Sequence, residues 1–264
     1  DRAEETFERL RGTMLDEEAK RSLLEIYQLG KDWERAIAIA KELPDVASRK
    51  EIAEYYCELA AAEMIRSRRA EARTHLETAL EMNRHCVRAS LLLGDLNAQE
   101  GDQQAAIDSW QQIESQNPAY LALVAQRLLA AYRALDRRDD GLRLLRGYLE
   151  NYHSLDLLDV VFQLVLESDG AEVAYTLVRD ELRRNPTLLG FDKLLEARLF
   201  NAAPEIRPDI DLAKGIVQNY TRRLARYRCD NCGFKARQFY WRCPACGGWE
   251  TYPPKRTEEF DLTP

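Results

Sequence analysis

Apolar residues recur along most of this chain at the three- and four-residue spacing of helices with one buried face, and small residues punctuate them regularly. A small residue introduces an apolar helix at Ala3, Ala36, Ala72, Ala106, Gly141 and Ala174, at spacings of 33, 36, 34, 35 and 33 residues. Such a period predicts two antiparallel helices per unit, each unit burying its apolar face only against its neighbours. The clearest copy runs from Leu93-Gly94 through Gly101-Asp102, Ala106-Ile107 and Trp110 to Pro118. Gly94 and Ala106 let two helices approach closely, Gly101 allows a short turn, and Pro118 stops the second helix.

Weaker copies keep the register: Leu23-Leu24, Tyr27, Trp33 and Ala36; Leu59-Ala60, Ala72, Leu76 and Ala79-Leu80; Leu128, Tyr132, Leu145 and Tyr148; and Ala174, Val178, Leu182 and Pro186. The copy around Ala3 and Phe7 holds only a second helix, and the chain opens with neither a cap nor an initiator methionine. It therefore reads as a fragment whose native N-terminus has been removed. Beyond Pro186, a helix is expected over 188–200, a loop over 201–208 and a helix over 209–224. Ile216, Tyr220, Leu224 and Tyr227 recur at helical spacing without an intervening Gly, Pro or Ser, which predicts that the C-terminal module docks on the last helices. The period is that of the tetratricopeptide repeat. An all-α superhelical solenoid is expected over residues 1–224, followed by a small metal module over 225–264.

Composition supports a mostly helical, folded chain: 264 residues, 45% hydrophobic and 31% charged, with 12 glycines and 9 prolines. The net charge of −7 is unevenly divided. Residues 221–264 carry 9 Lys/Arg and 5 Asp/Glu, or +4, leaving −11 for residues 1–220. No apolar run approaches the roughly 18 residues that span a bilayer, and no signal peptide opens the chain.

Four of the six cysteines carry the strongest chemical signal. Cys229-Asp230-Asn231-Cys232-Gly233 and Cys243-Pro244-Ala245-Cys246-Gly247 are two knuckles, in which glycine allows the tight turn that aims both sulfurs of a pair at one ion. Four thiolates close a tetrahedral shell with no position for water, which disfavours hydrolysis; zinc is the first choice and iron the alternative. A segment of this size cannot build enough core alone, so the ion supplies its folding energy.

Cys57 and Cys86 lie in apolar helical patterns and read as small buried hydrophobes, in a reducing compartment. His75, His85 and His153 are dispersed and form no second metal pattern. No nucleophile elbow, phosphate-binding glycine loop or H-E-x-x-H helix is present, so no residue set supports catalysis. Arg21, Glu25, Glu54, Cys57, Asp95 and Arg133 fall by register on a groove face, but the Lys/Asn set of a carboxylate clamp is absent. Near the knuckles, Arg222, Arg223, Arg226, Arg228, Lys235, Arg237 and Arg242 lie among Tyr227, Phe234, Phe239, Tyr240 and Trp241. Such a mixture can bind single-stranded nucleic acid. The favoured reading is that the rings cover the knuckles and stack on the array.

The array with its C-terminal knuckle pair resembles the lipopolysaccharide assembly protein B family of Gram-negative bacteria. The likeness rests on Tyr227 to Phe234, Tyr240 to Cys246 and Trp249, and on Glu54 to Ala60 and Arg184 to Thr187 in the repeats. The resemblance implies a rubredoxin-type domain with Cys229, Cys232, Cys243 and Cys246 as ligands. It also implies an inner-membrane protein with an N-terminal transmembrane helix absent from these residues and its repeats in the cytoplasm. A non-catalytic adaptor is expected, bringing the lipid A deacetylase to the membrane protease FtsH and organising other lipopolysaccharide assembly proteins. Lipopolysaccharide itself is a further candidate ligand. The alternative is a nucleic-acid-binding ribbon on a repeat scaffold.

Overall fold

The computed structural model describes residues 2–43, 47–152, 154–221 and 227–254. They form two compact units, Asp1–Asn117 and Pro118–Pro264. In the first, α1 (Arg2–Leu10) precedes the helix pairs α2–α3 (Asp16–Gly30, Trp33–Glu42), α4–α5 (Arg49–Ile65, Arg69–Met82) and α6–α7 (Val87–Gln99, Gln103–Gln116). In the second, a 3-10 segment (Pro118–Leu123) leads into α8–α9 (Ala125–Ala134, Arg138–Asn151), α10–α11 (Leu155–Ser168, Ala171–Arg184) and α12–α13 (Leu188–Phe200, Arg207–Thr221). Two short strands, β1 (Tyr227–Arg228) and β2 (Lys235–Ala236), follow as an antiparallel pair.

Ala3 aside, each small residue of the sequence period sits on the second helix of a pair. Ala36, Ala72, Ala106 and Ala174 are completely buried, and Gly141 is buried too. Ala3, on α1, is exposed. At Gly94 a methyl group would lie 2.3 Å from Trp110 Nε1, so the absence of a side chain is what lets α6 and α7 close on the indole. That indole donates to Leu91 O over 3.2 Å.

Five of the six turns between first and second helix, all but that of α12–α13, use one left-handed residue, at Lys31, Ser67, Gly101, Asp136 and Gly170. In four of them the next amide donates back to the carbonyl five residues earlier: Asp32 to Tyr27, Arg68 to Glu63, Asp102 to Asn97 and Arg137 to Tyr132. This closes the first helix by a Schellman arrangement and reverses the chain within two or three residues. Helix starts are fixed locally as well. Ser48 and Glu51 form a reciprocal capping box on α4, and Asp32, Asp102, Ser154 and Thr187 accept from amides of the following turns.

Helix α12 occupies 188–200 as the sequence predicts, but α13 begins at Arg207, inside the stretch expected to be loop. Pro208 is compatible with a helix start because the first turn needs no amide partner there. Ile216 and Tyr220 do not form the expected seam: they are exposed, as is Leu212. Leu224, the next residue of that seam, lies outside the described residues.

Candidate metal centre

The two knuckles have the same construction, offset by fourteen residues. In the first, Gly233 N donates to Cys229 O and Cys229 N to Phe234 O, both over 2.9 Å. In the second, Gly247 N donates to Cys243 O and Cys243 N to Gly248 O, again over 2.9 Å. Gly233 and Gly247 take φ of 75° and 72°, the left-handed turn for which glycine is best suited. Each knuckle thus ends a tight hairpin, the first on β1–β2 and the second on the Arg242–Trp249 bridge. Arg242 straddles the second, with its guanidinium 5.6 Å from the Trp249 ring centroid and Nε donating to Gly247 O over 3.1 Å.

All four sulfurs lie within 4.8 Å of one another. Two opposite edges of the quartet, Cys229–Cys246 and Cys232–Cys243, measure 3.8 and 3.7 Å. A regular tetrahedron around an ion with bonds of about 2.3 Å has edges of roughly 3.8 Å, so the donor set fits one tetrahedral ion. Cys229 and Cys243 are buried, and Cys232 and Cys246 are exposed.

Charge in the quartet is supported by the surrounding backbone. Burial opposes ionisation of Cys229, yet Thr251 Oγ1 at 3.4 Å and the amides of Cys232 and Asn231 outweigh it and bring the thiol down to about 6. The Gly248 amide lowers Cys246, helped by Asn231 Nδ2, which donates to its sulfur over 3.5 Å. The Phe234 amide favours a thiolate at Cys232, but desolvation and hydrogen bonds to the other three cysteines prevail and push it up to about 12. Without an ion the quartet keeps a proton; a divalent cation replaces it. Metal retention should therefore fall as the solution is acidified, which a chromogenic chelator can follow. Unchanged retention down to the pH at which the helices melt would contradict it.

Sequence reasoning missed three residues here. Tyr252 is fully buried with Cys229 and Cys243, its hydroxyl donating to Tyr227 O over 3.1 Å. Thr251 reaches a sulfur, and Tyr120 of the 3-10 segment receives the module's rings. Trp241 stacks on Tyr120 at 5.5 Å and 9°, while Phe239 meets it edge-on at 6.2 Å. The described ring contacts that hold the module thus go to the segment before α8, not to the expected last helices. The only sequence signal was an aromatic residue two positions after Pro118.

Of the five rings expected among the basic residues, Tyr227, Phe239, Tyr240 and Trp241 are at least half-buried, and Phe234 is exposed. Arg228, Lys235 and Arg237 are exposed, whereas Arg222, Arg223 and Arg226 lie outside the described residues. The rings take part in the module's packing. Trp241→Ala should remove two ring pairs worth about 0.5–1.5 kcal/mol each. Faster amide exchange at Tyr120 and Leu121 would register the loss; unchanged exchange would show that the stack contributes nothing.

Among the proposed groove residues, Arg21, Glu25 and Arg133 are exposed and Asp95 is half-buried. Arg21 pairs with Glu17, and Arg133 with Glu167 over 3.2 Å. Glu54 and Cys57 are fully buried, contrary to a groove position. Glu54 lies 3.5 Å from Arg88 Nη1, and Cys57 joins an alanine- and leucine-rich core. His75 packs against Tyr56, His85 lies at the surface between α5 and α6, and His153 is outside the described residues.

These features define a tetratricopeptide-type helical-repeat protein carrying a rubredoxin-type metal module. Residues 227–254 match the family described as the rubredoxin metal binding domain. Lipopolysaccharide assembly protein B of Escherichia coli (strain K12) is 31% identical over 262 residues, covering 97% of this chain and 67% of that protein. The protein of the same name from Haemophilus influenzae is 30% identical over 251 residues, covering 93% of this chain and 63% of that protein. The chain belongs to the lipopolysaccharide assembly protein B family. Among solved structures, the APC/C hetero-tetramer Cut9-Hcn1 covers 74% of this chain and 38% of its own, at 17% identity and a TM-score of 0.38. Among the described residues no helix is long and apolar enough to cross a membrane.

Proposed function

We propose that this protein acts in lipopolysaccharide assembly as a non-catalytic adaptor that brings the lipid A deacetylase to the membrane protease FtsH. The identity to lipopolysaccharide assembly protein B along 97% of the chain carries this reading. Residues 1–224 would form the protein-binding array and residues 225–264 the metal module. Cys229, Cys232, Cys243 and Cys246 would ligate one zinc ion, whose closed sulfur shell holds the module in shape and offers substrate no open position. In this reading the parent protein is anchored at the inner membrane by an N-terminal helix, with array and module on the cytoplasmic side. Other lipopolysaccharide assembly proteins, and lipopolysaccharide itself, are its further partners.

Reconstitution tests the reading directly. Purified deacetylase and FtsH in detergent or nanodiscs should show deacetylase degradation that accelerates several-fold when the metal-loaded chain is added. Direct binding of the chain to at least one of them should accompany it. No binding to either, at micromolar concentrations, would sink the adaptor role. Salt-sensitive binding of single-stranded RNA in its place would favour the nucleic-acid alternative. Metal analysis of anaerobically purified protein separates zinc from a red, reducible iron site.

A further inference from the structure

Two cysteines outside the metal module meet inside the first unit. Cys57 lies in the middle of α4 and Cys86 caps the start of α6, so they belong to the first helices of adjacent repeats. Both are fully buried, and their sulfurs are 3.7 Å apart, in van der Waals contact without a bond. Two unrelated buried thiols can simply fill space, but this pair has a further polar partner. Cys86 Sγ donates towards Glu54 Oε1 over 3.6 Å, and Glu54 is itself fully buried on α4, one turn before Cys57. The site therefore holds a nucleophile, a proton acceptor and a second sulfur within reach. Cys86 also stands at a helix start, where amides favour a thiolate, and next to the exposed Arg84 and His85 of the four-residue connection 83–86. Opening of that connection is a short path from solvent to an otherwise closed site.

We propose that Cys57 and Cys86 form a reversible dithiol–disulfide couple, a modification site for small hydroperoxides that locks neighbouring repeats together. Cys86 passes its proton to Glu54, and its thiolate attacks the hydroperoxide. An S–O bond forms, the O–O bond breaks, and the alcohol or water leaves with the proton from Glu54. The sulfur of Cys57 then attacks the sulfenic sulfur: the S–S bond forms, the S–O bond breaks, and water leaves with the proton of Cys57. Two thiols are oxidised and one hydroperoxide is reduced, giving one disulfide, one alcohol or water, and one further water. The sulfurs close from 3.7 Å to a bond of about 2.05 Å. A thiol reductant restores the open pair.

The test uses the whole, metal-loaded chain and hydrogen peroxide as oxidant. After graded exposure, free thiols are alkylated, the chain is unfolded without reductant, and its peptides are mapped. The expected result is one linked peptide joining Cys57 to Cys86 that disappears on reduction. It should come with an upward shift of several degrees in the unfolding midpoint, because the bond closes a long loop in the unfolded chain. Cys86→Ala, or Cys57→Ala should the first fail to fold, should lose both the linked peptide and the shift. Recovery of both residues as alkylated thiols, at peroxide doses that already oxidise the metal-binding cysteines, would overturn the proposal. So would over-oxidation of Cys86 to a sulfinic acid with no link to Cys57.

Discussion

Cys243→Ser should yield a chain that retains its helical signal but no longer holds stoichiometric metal and is cut by protease within residues 227–254. Serine keeps the size of the side chain but is not deprotonated at neutral pH, so it withdraws one of four charged donors. Structural zinc contributes on the order of 10–16 kcal/mol to such a fold, far more than the rest of the module can supply. The buried core there consists of Cys229, Cys243 and Tyr252, with Tyr227, Ala236, Phe239 and Tyr240 packed around it. Two of its three fully enclosed side chains are themselves candidate ligands. Cys232→Ser is the sharper companion, since Cys232 is exposed and contributes no core packing. Equal loss of metal and protease resistance in both variants identifies ligation as the cause. A Cys232→Ser protein with full metal content and a resistant module would refute the four-sulfur site. Elemental analysis and timed proteolysis measure the two quantities.

The second large effect is expected at Gly94, where two physical terms oppose one another. In an open helix interior, glycine to alanine stabilises by roughly 0.5–1 kcal/mol by reducing the freedom of the unfolded chain. At Gly94 the new methyl would lie 2.3, 2.5 and 2.7 Å from Nε1, Cδ1 and Cε2 of Trp110. That indole cannot easily yield, because it is 2% exposed and hydrogen-bonded to Leu91 O. Overpacking of this kind costs about 1–3 kcal/mol, so the clash wins and Gly94→Ala destabilises. Gly147→Ala in α9 is the control, since nothing lies within 4 Å of its added methyl. There the propensity gain is unopposed and the denaturation midpoint should rise. Midpoints moving in the same direction in both variants would show that the close approach of α6 and α7 has no energetic weight.

Gly94 also shows how far sequence periodicity carries. The recurrence of small residues every 33 to 36 positions located the second helix of the five pairs from α2–α3 to α10–α11, because a helix crossing another closely has no room for a larger side chain there. The turns were only partly legible. Gly101 and Gly170 announce a left-handed residue, but Lys31, Ser67 and Asp136 adopt the same conformation without glycine, held by the helix pairs they join. The register placed Glu54 and Cys57 on a groove, whereas packing buries both, since helix phase is local and depth depends on what stacks against it. Ile216 and Tyr220 are the converse, apolar at helical spacing yet exposed.

For the metal centre, the sequence by itself determined the four donors and their pairing into knuckles, because two sulfurs three residues apart on a glycine-ended turn converge through local backbone geometry alone. It also determined the repeat architecture, since burying a helical stripe every 34 or so residues leaves stacking as the solution. Only the tertiary structure decided that the pairs meet along edges of 3.7 and 3.8 Å, that Thr251 and Asn231 reach the sulfurs, and that Trp241 stacks on Tyr120. It alone also brought Cys57 against Cys86, 29 residues away. Those contacts join residues distant along the chain, and their partners are selected by how helices and hairpins fill space rather than by any pattern within a window of sequence.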